Sequence, residues 1–139
     1  MERIIHLNDE NGQSGELIVE YNIDTGRARS AGKGFGSVKQ MKSFFADWKE
    51  VVQCIHAHGL RVIAMVDLSE GDVQKAEVAE VIATATADIY RKGDTIAMIV
   101  RDSLMKMQMR RILDGDFYQF FVSRSAAGLW LDGRSQRRF

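Results

Sequence analysis

Proline is missing altogether from the 139 residues, and cysteine occurs once. Without proline, the 12 glycines carry the punctuation of the chain. A single thiol, Cys54, excludes an internal disulfide framework. It falls inside an apolar helical pattern, where a buried and inert thiol is expected, and a reducing compartment fits. No stretch approaches the roughly 18 apolar residues of a membrane span. The opening "MERIIHLNDENG" carries charge at once and has no long apolar run, so it does not read as a signal peptide. A cytoplasmic protein without a membrane span is expected. Charge of one sign is also lacking: 19 Lys and Arg balance 19 Asp and Glu. No global field pulls the chain toward nucleic acid or an anionic surface, and no nucleic-acid partner is expected.

What is present is ordinary for a globular domain: 45% hydrophobic and 27% charged residues. A chain of this length buries roughly two thirds of its unfolded surface, enough for a core without staples. No repeat, low-complexity tract or linker interrupts it. One domain over 1–133 is expected, followed by a short basic tail, "RSQRRF", at 134–139.

Hydrophobic periodicity places the elements. "ERIIHL" (2–7) is a short apolar run fit for an edge strand, and "NDENGQSG" (8–15) is dense in turn formers. "ELIVEYN" (16–22) suits a pleated surface. "IDTGR" (23–27) reads as a tight turn into a small, polar second arm, "ARSAGKGF" (28–35). Over 37–59, Val38, Met41, Phe45, Trp48, Val52 and Ile55 recur at steps of three and four, which places them on one helical face. Ser37 is a natural N-cap and Gly59 a natural stop. "LRVIAMVDL" (60–68) is almost continuously apolar, as a central strand covered on both faces would be. A helix over 77–93 shows Val78, Val81, Ile82, Ala85 and Ile89 on one face, and "DTIAMIV" (94–100) is a second buried strand. The stretch 102–115 is ambiguous. Met105, Met107 and Met109 alternate as in a strand, but Ser103 as cap, good helix formers and Gly115 as stop favour a helix. "FYQFFVS" (117–123) is a strand and 124–133 a short helix.

From residue 37 onward, helices and strands alternate, so crossovers join mostly parallel strands. The expected fold is α/β: a mixed sheet of four to five strands, an N-terminal hairpin plus parallel βαβ units, covered by about four helices.

This pattern resembles the STAS domain of anti-sigma-factor antagonists, and more closely its SpoIIAA-like branch of small bacterial proteins, which has been grouped with the CRAL-TRIO lipid-binding fold. The residues carrying the likeness are "RVIAMVDLS" (61–69), "DTIAMIV" (94–100) and "FYQFFVSRSAAGLWLDG" (117–133). The likeness covers roughly 16 to 133. It implies a STAS-like regulatory or protein-interaction module. Antagonists of the switching type carry a phosphorylatable serine in an Asp-Ser-Ser-Gly-like stretch after the central strand. Here that region reads "SEGDVQKAEVAEV" (69–81), whose one serine, Ser69, lies at the strand end. Anti-sigma antagonism is therefore not carried over.

Asp67, Ser69, Glu70 and Asp72 cluster at the carboxyl end of the strand expected at 60–68, where open α/β sheets bind ligands. These four are the candidate binding residues. Two roles are open: a helix cap beside a solvated loop, or a partner or ligand site, with phosphorylation of Ser69 as a variant of the second. "HAHG" (56–59) places two histidines at i and i+2, on different sides of a helix, unlike a metal-gripping i, i+4 pair; fraying histidines at a helix end are expected. "GKGFG" (32–36) lacks the spacing of a phosphate loop and reads as a structural turn. Met98, Met105, Met107, Met109, Phe117, Phe120, Phe121 and Trp130 are either core filler or the lining of an apolar pocket. Arg110, Arg111, Arg134, Arg137 and Arg138 form a basic, solvated region.

No spacing selects a nucleophile beside a base, or paired acids with separated pKa values. A non-enzymatic module without cofactor or metal is expected. It would be homodimeric and dock an unidentified protein partner on a helix face near residues 69 to 90. The alternative is a carrier or sensor of a small apolar, lipid-like ligand held among the late methionines and aromatics.

Overall fold

The computed structural model describes the backbone of residues 2–10, 13–33, 38–69, 76–113 and 117–134, and the side chains of 18–32, 42–69, 80–113 and 117–134. Six strands form one sheet in the order β1-β2-β3-β4-β5-β6, interspersed with four helices. The strands are β1 (Glu2–Glu10), β2 (Gln13–Tyr21), β3 (Arg27–Lys33), β4 (Ile63–Asp67), β5 (Thr95–Ile99) and β6 (Tyr118–Phe121). The helices are α1 (Val38–Ala57), α2 (Ala76–Thr86), α3 (Ser103–Ile112) and α4 (Arg124–Asp132). β1, β2 and β3 pair antiparallel; β3, β4, β5 and β6 pair parallel. The α/β class, the mixed sheet and the side-by-side parallel placement of the strands near 62 and 96 match expectation.

The strand count does not: six stand where four to five were expected. The hairpin is longer than its composition suggests. Asn8, Asp9 and Glu10 continue the ladder, pairing with Gly15, Ser14 and Gln13, so all nine residues of β1 have partners in β2. Of the expected turn over 8–15, residues 8–10 belong to β1 and 13–15 to β2, and residues 11 and 12 lie outside the described residues. Their sequence, Asn-Gly, is the dipeptide favoured in two-residue hairpins. A ladder held by register carries polar residues into a strand that propensity alone would end. The second turn forms as expected. The Asn22 side chain accepts from the Asp24 amide at 2.8 Å, and Gly26 adopts φ +75°, which a residue with a Cβ resists.

The strand order explains where the helices lie. β3 to β6 are laid down in one direction, each crossover adding a neighbour on the same side. Crossovers of one hand then put every connecting helix on the same face. The core bears this out: buried side chains of α1, α2 and α3 share a cluster with Ala64, Val66, Ile96, Met98 and Phe120. α4 follows β6 and covers the other face, where Ala127 and Leu131 pack on Ile63, Ala97 and Ile99. Alternate residues of β4 and β5 thus serve two cores, which is why both strands read as continuous apolar runs.

α1 buries Phe45, Trp48, Val52 and Ile55 as the spacing requires, together with Phe44 and Val51. Gly59 ends it at φ +73°. The expected cap Ser37, the side chains of Val38, Met41 and Val78, and the expected stop Gly115 lie outside the described residues. α2 stops at Thr86, short of the expected 93, where the Thr86 hydroxyl donates to the Ile82 carbonyl at 2.7 Å. Such back-bonding favours departure from the helix. α3 is a helix, and its cap is Asp102 and not Ser103: the carboxylate accepts from the Met105 amide at 2.8 Å.

Candidate functional site

β4 delivers Asp67 to the carboxyl end of the sheet, and the chain turns at once. Asp67 is 4% exposed. Its Oδ1 accepts from the Ser69 amide at 3.0 Å and the Ser69 hydroxyl at 2.5 Å. Its Oδ2 accepts from Arg124, with Nε and Nη2 each at 2.6 Å. Burial pushes the Asp67 carboxyl up, but the Ser69 hydroxyl, the Ser69 amide and the Arg124 guanidinium outweigh it and hold the group below the ordinary carboxylate value. Asp67 and Ser69 are thus brought together, as expected, but they spend their polar capacity on each other and on α4. The cluster clamps the end of β4 to the first turn of α4. Arg124 was not among the expected residues; no local spacing links it to a strand 57 residues away. Glu70 and Asp72 lie outside the described residues. The strand order adds a second point: β3 to β6 never reverse direction, so the parallel part lacks the topological switch point that opens a ligand crevice in doubly wound sheets.

A wider concavity lies elsewhere. α1 and α2 pack side by side and leave an open groove of about 730 Å³, lined by Lys42, Phe45, Ala46 and Lys49 on α1 and Glu80, Val81, Thr84 and Ala85 on α2. Phe45 and Val81 give an apolar floor. Lys42, Lys49 and Glu80 are exposed and make no ion pair among the described residues. Sequence reasoning had pointed to α2 but could not see the groove, which exists only between two elements.

Two smaller hollows lie on other parts of the surface. One of about 340 Å³ lies beside α4 and includes Arg27, Arg29, Met65 and Leu131. One of about 260 Å³ lies at the start of α3 and includes Arg101, Leu104 and Gln108. Of the late methionines and aromatics expected to line an apolar pocket, only Met105 touches any of these three. Met98, Met105, Met109 and Phe120 are buried in the core under α1 to α3. Met107 faces solvent at 56% exposure.

Two further expectations are corrected. His56 does not fray: its Nε2 lies 2.7 Å from Oδ2 of Asp94, and the two side chains are only 6% and 1% exposed. The last turn of α1 meets the turn before β5, and the contact with Asp94 holds the ring. Cys54 is half-buried rather than sealed in the core. The tail begins in order, with the Arg134 guanidinium 4.4 Å from the centre of the Trp130 ring; residues 135–139 lie outside the described residues, as do 34–36 of "GKGFG". Among the described residues no three His, Cys, Asp or Glu side chains group as metal ligands, and no helix is long and apolar enough to cross a membrane.

Comparison with protein-family models, curated proteins and solved structures finds no match to this chain.

Proposed function

We propose that the protein is a non-catalytic, cytoplasmic interaction module of STAS-like type, and that it docks a protein partner in the groove between α1 and α2. The observation carrying this reading is the groove itself: an apolar floor of Phe45 and Val81 beneath a rim of Lys42, Lys49 and Glu80 with no ion pairs of their own among the described residues. Charges on a surface of this kind steer and select a partner. Asp67 and Ser69 act as a clamp, which supports a structural role for them and leaves docking to the groove. The parallel run, with β4 ending at Asp67 just before Leu68 and Ser69 and a helix after each strand, accords with the STAS resemblance.

A photo-crosslinking amino acid placed at Ala46 or Thr84 tests the proposal in the native cell. Capture of one protein species from these positions, and not from exposed Ser125 on α4, is the expected result. Equal capture from Ser125, or none from the groove, removes the proposal.

A further inference from the structure

We infer that the segment docked in this groove is an amphipathic α-helix of another protein, with carboxylates along the flank that faces α1 and a basic residue along the flank that faces α2. The inference rests on the groove being the docking surface. It follows from backbone chemistry, from side-chain size and from charge.

Both walls are helices, whose backbone groups bond within their own helix. They offer no row of free N–H and C=O groups to an incoming strand. An extended segment would gain no backbone bonds from these walls, whereas a helix brings its own backbone bonds satisfied. Ala46, Thr84 and Ala85 on the walls are small, and small side chains let a third helix axis come close. Lys42 and Lys49 are seven residues apart, two helical turns or about 10.5 Å. Carboxylates at i and i+7 on the guest match that span. Glu80 on the opposite wall selects a cation on the other flank. With one acidic and one basic flank, the charges also set the direction in which the helix lies.

A second copy of this chain is a poor occupant. Among the described residues, the exposed ridge of α1 consists of Lys42, Ser43, Ala46, Lys49, Glu50, Gln53 and Ala57, without one large apolar side chain to reach Phe45 and Val81. The exposed large hydrophobics that are described, Leu104, Met107, Val122 and Leu129, lie later in the chain, away from both walls.

Two helix-stapled peptides of about 18 residues with one leucine stripe test this against the full chain. One carries Glu on one flank and Lys on the other; its twin carries Lys on both. Fluorescence anisotropy is expected to show the Glu/Lys peptide binding about tenfold more tightly, with the Lys42→Glu, Lys49→Glu double variant inverting that order and Ala46→Trp abolishing both. Equal affinity of the two peptides for the unaltered chain overturns the charge pattern and leaves the groove as a docking surface. Binding that Ala46→Trp does not weaken, or no binding of either peptide, overturns the helical occupant; crosslinking from Ala46 and Thr84 then decides separately whether the groove docks anything. Light scattering that shows a dimer, dissociated by Ala46→Trp, makes the occupant a second copy and overturns the inference.

Discussion

Asp94 and His56 meet 2.7 Å apart at a point where three segments converge. Oδ1 of Asp94 accepts from the Val62 amide at 2.9 Å, and Oδ2 accepts from the Arg91 amide at 2.7 Å. One buried carboxylate thus holds the last turn of α1, the entry to β4 and the turn before β5. Asp94→Ala is expected to cost about 3–5 kcal/mol, because two amides and an imidazole lose their acceptor inside the protein. His56→Ala leaves both amides bonded and is expected to cost about 2 kcal/mol. Urea denaturation of the two variants measures the order. If His56→Ala proves the costlier change, the carboxylate is not the hub.

Asp67 supplies an acid-sensitive contribution to stability. Its carboxyl sits below the 3.8 of an unperturbed aspartate, so the folded state holds its proton less tightly than the unfolded chain does. The contribution is complete at pH above that ordinary value and disappears as pH falls through the lowered one. Denaturation midpoints followed into acid are expected to fall less steeply for Asp67→Asn than for the unaltered chain. Identical slopes would show that the clamp to Ser69 and Arg124 carries no charge-dependent stability.

Two of the tyrosines should resist alkaline titration. Burial pushes the Tyr90 hydroxyl well above 10.0, and burial also raises Tyr118. In the unfolded chain both ionise near the ordinary value, so stability holds below about pH 10 and falls as pH rises beyond it. Ultraviolet absorbance is expected to show phenolate from Tyr90 and Tyr118 appearing together with loss of structure. Free titration of Tyr90 in the folded protein would contradict its burial. Tyr90→Phe has a further cost of about 1–2 kcal/mol, since the Trp48 indole N–H donates to that hydroxyl at 2.9 Å and would be left unpaired.

What the amino-acid order reveals here depends on how local the cause is. β4 and β5 are legible because each is packed on both faces, so nearly every residue must be apolar. α1 is legible because one stripe from Phe45 to Ile55 faces the sheet. The end of β1 is not, since Asn8 to Glu10 are held by the register of β2 and not by their own preference. His56 with Asp94 and Asp67 with Arg124 are invisible for a different reason. Each pair joins segments 38 and 57 residues apart, and only the folded sheet brings them together. The groove is a property of two helices at once, and Lys42, Ala46, Lys49, Glu80 and Thr84 of its lining fall outside every pattern read from the sequence.

The alternating methionines of α3 give the sharpest check on how periodicity resolves. A strand would place Met105, Met107 and Met109 on one side. The helix sends Met105 and Met109, one turn apart, into the core at 3% and 1% exposure, and leaves Met107 outside at 56%. Four residues bring a helix back to nearly the same direction, while two turn it more than halfway round. Met105→Ala and Met109→Ala are each expected to cost about 2–5 kcal/mol, because they open a cavity beneath α3. Met107→Ala should stay within about 0.5 kcal/mol. Chemical denaturation of the three variants separates the two geometries. Three equal losses would place all three side chains on one buried face, which a helix cannot do.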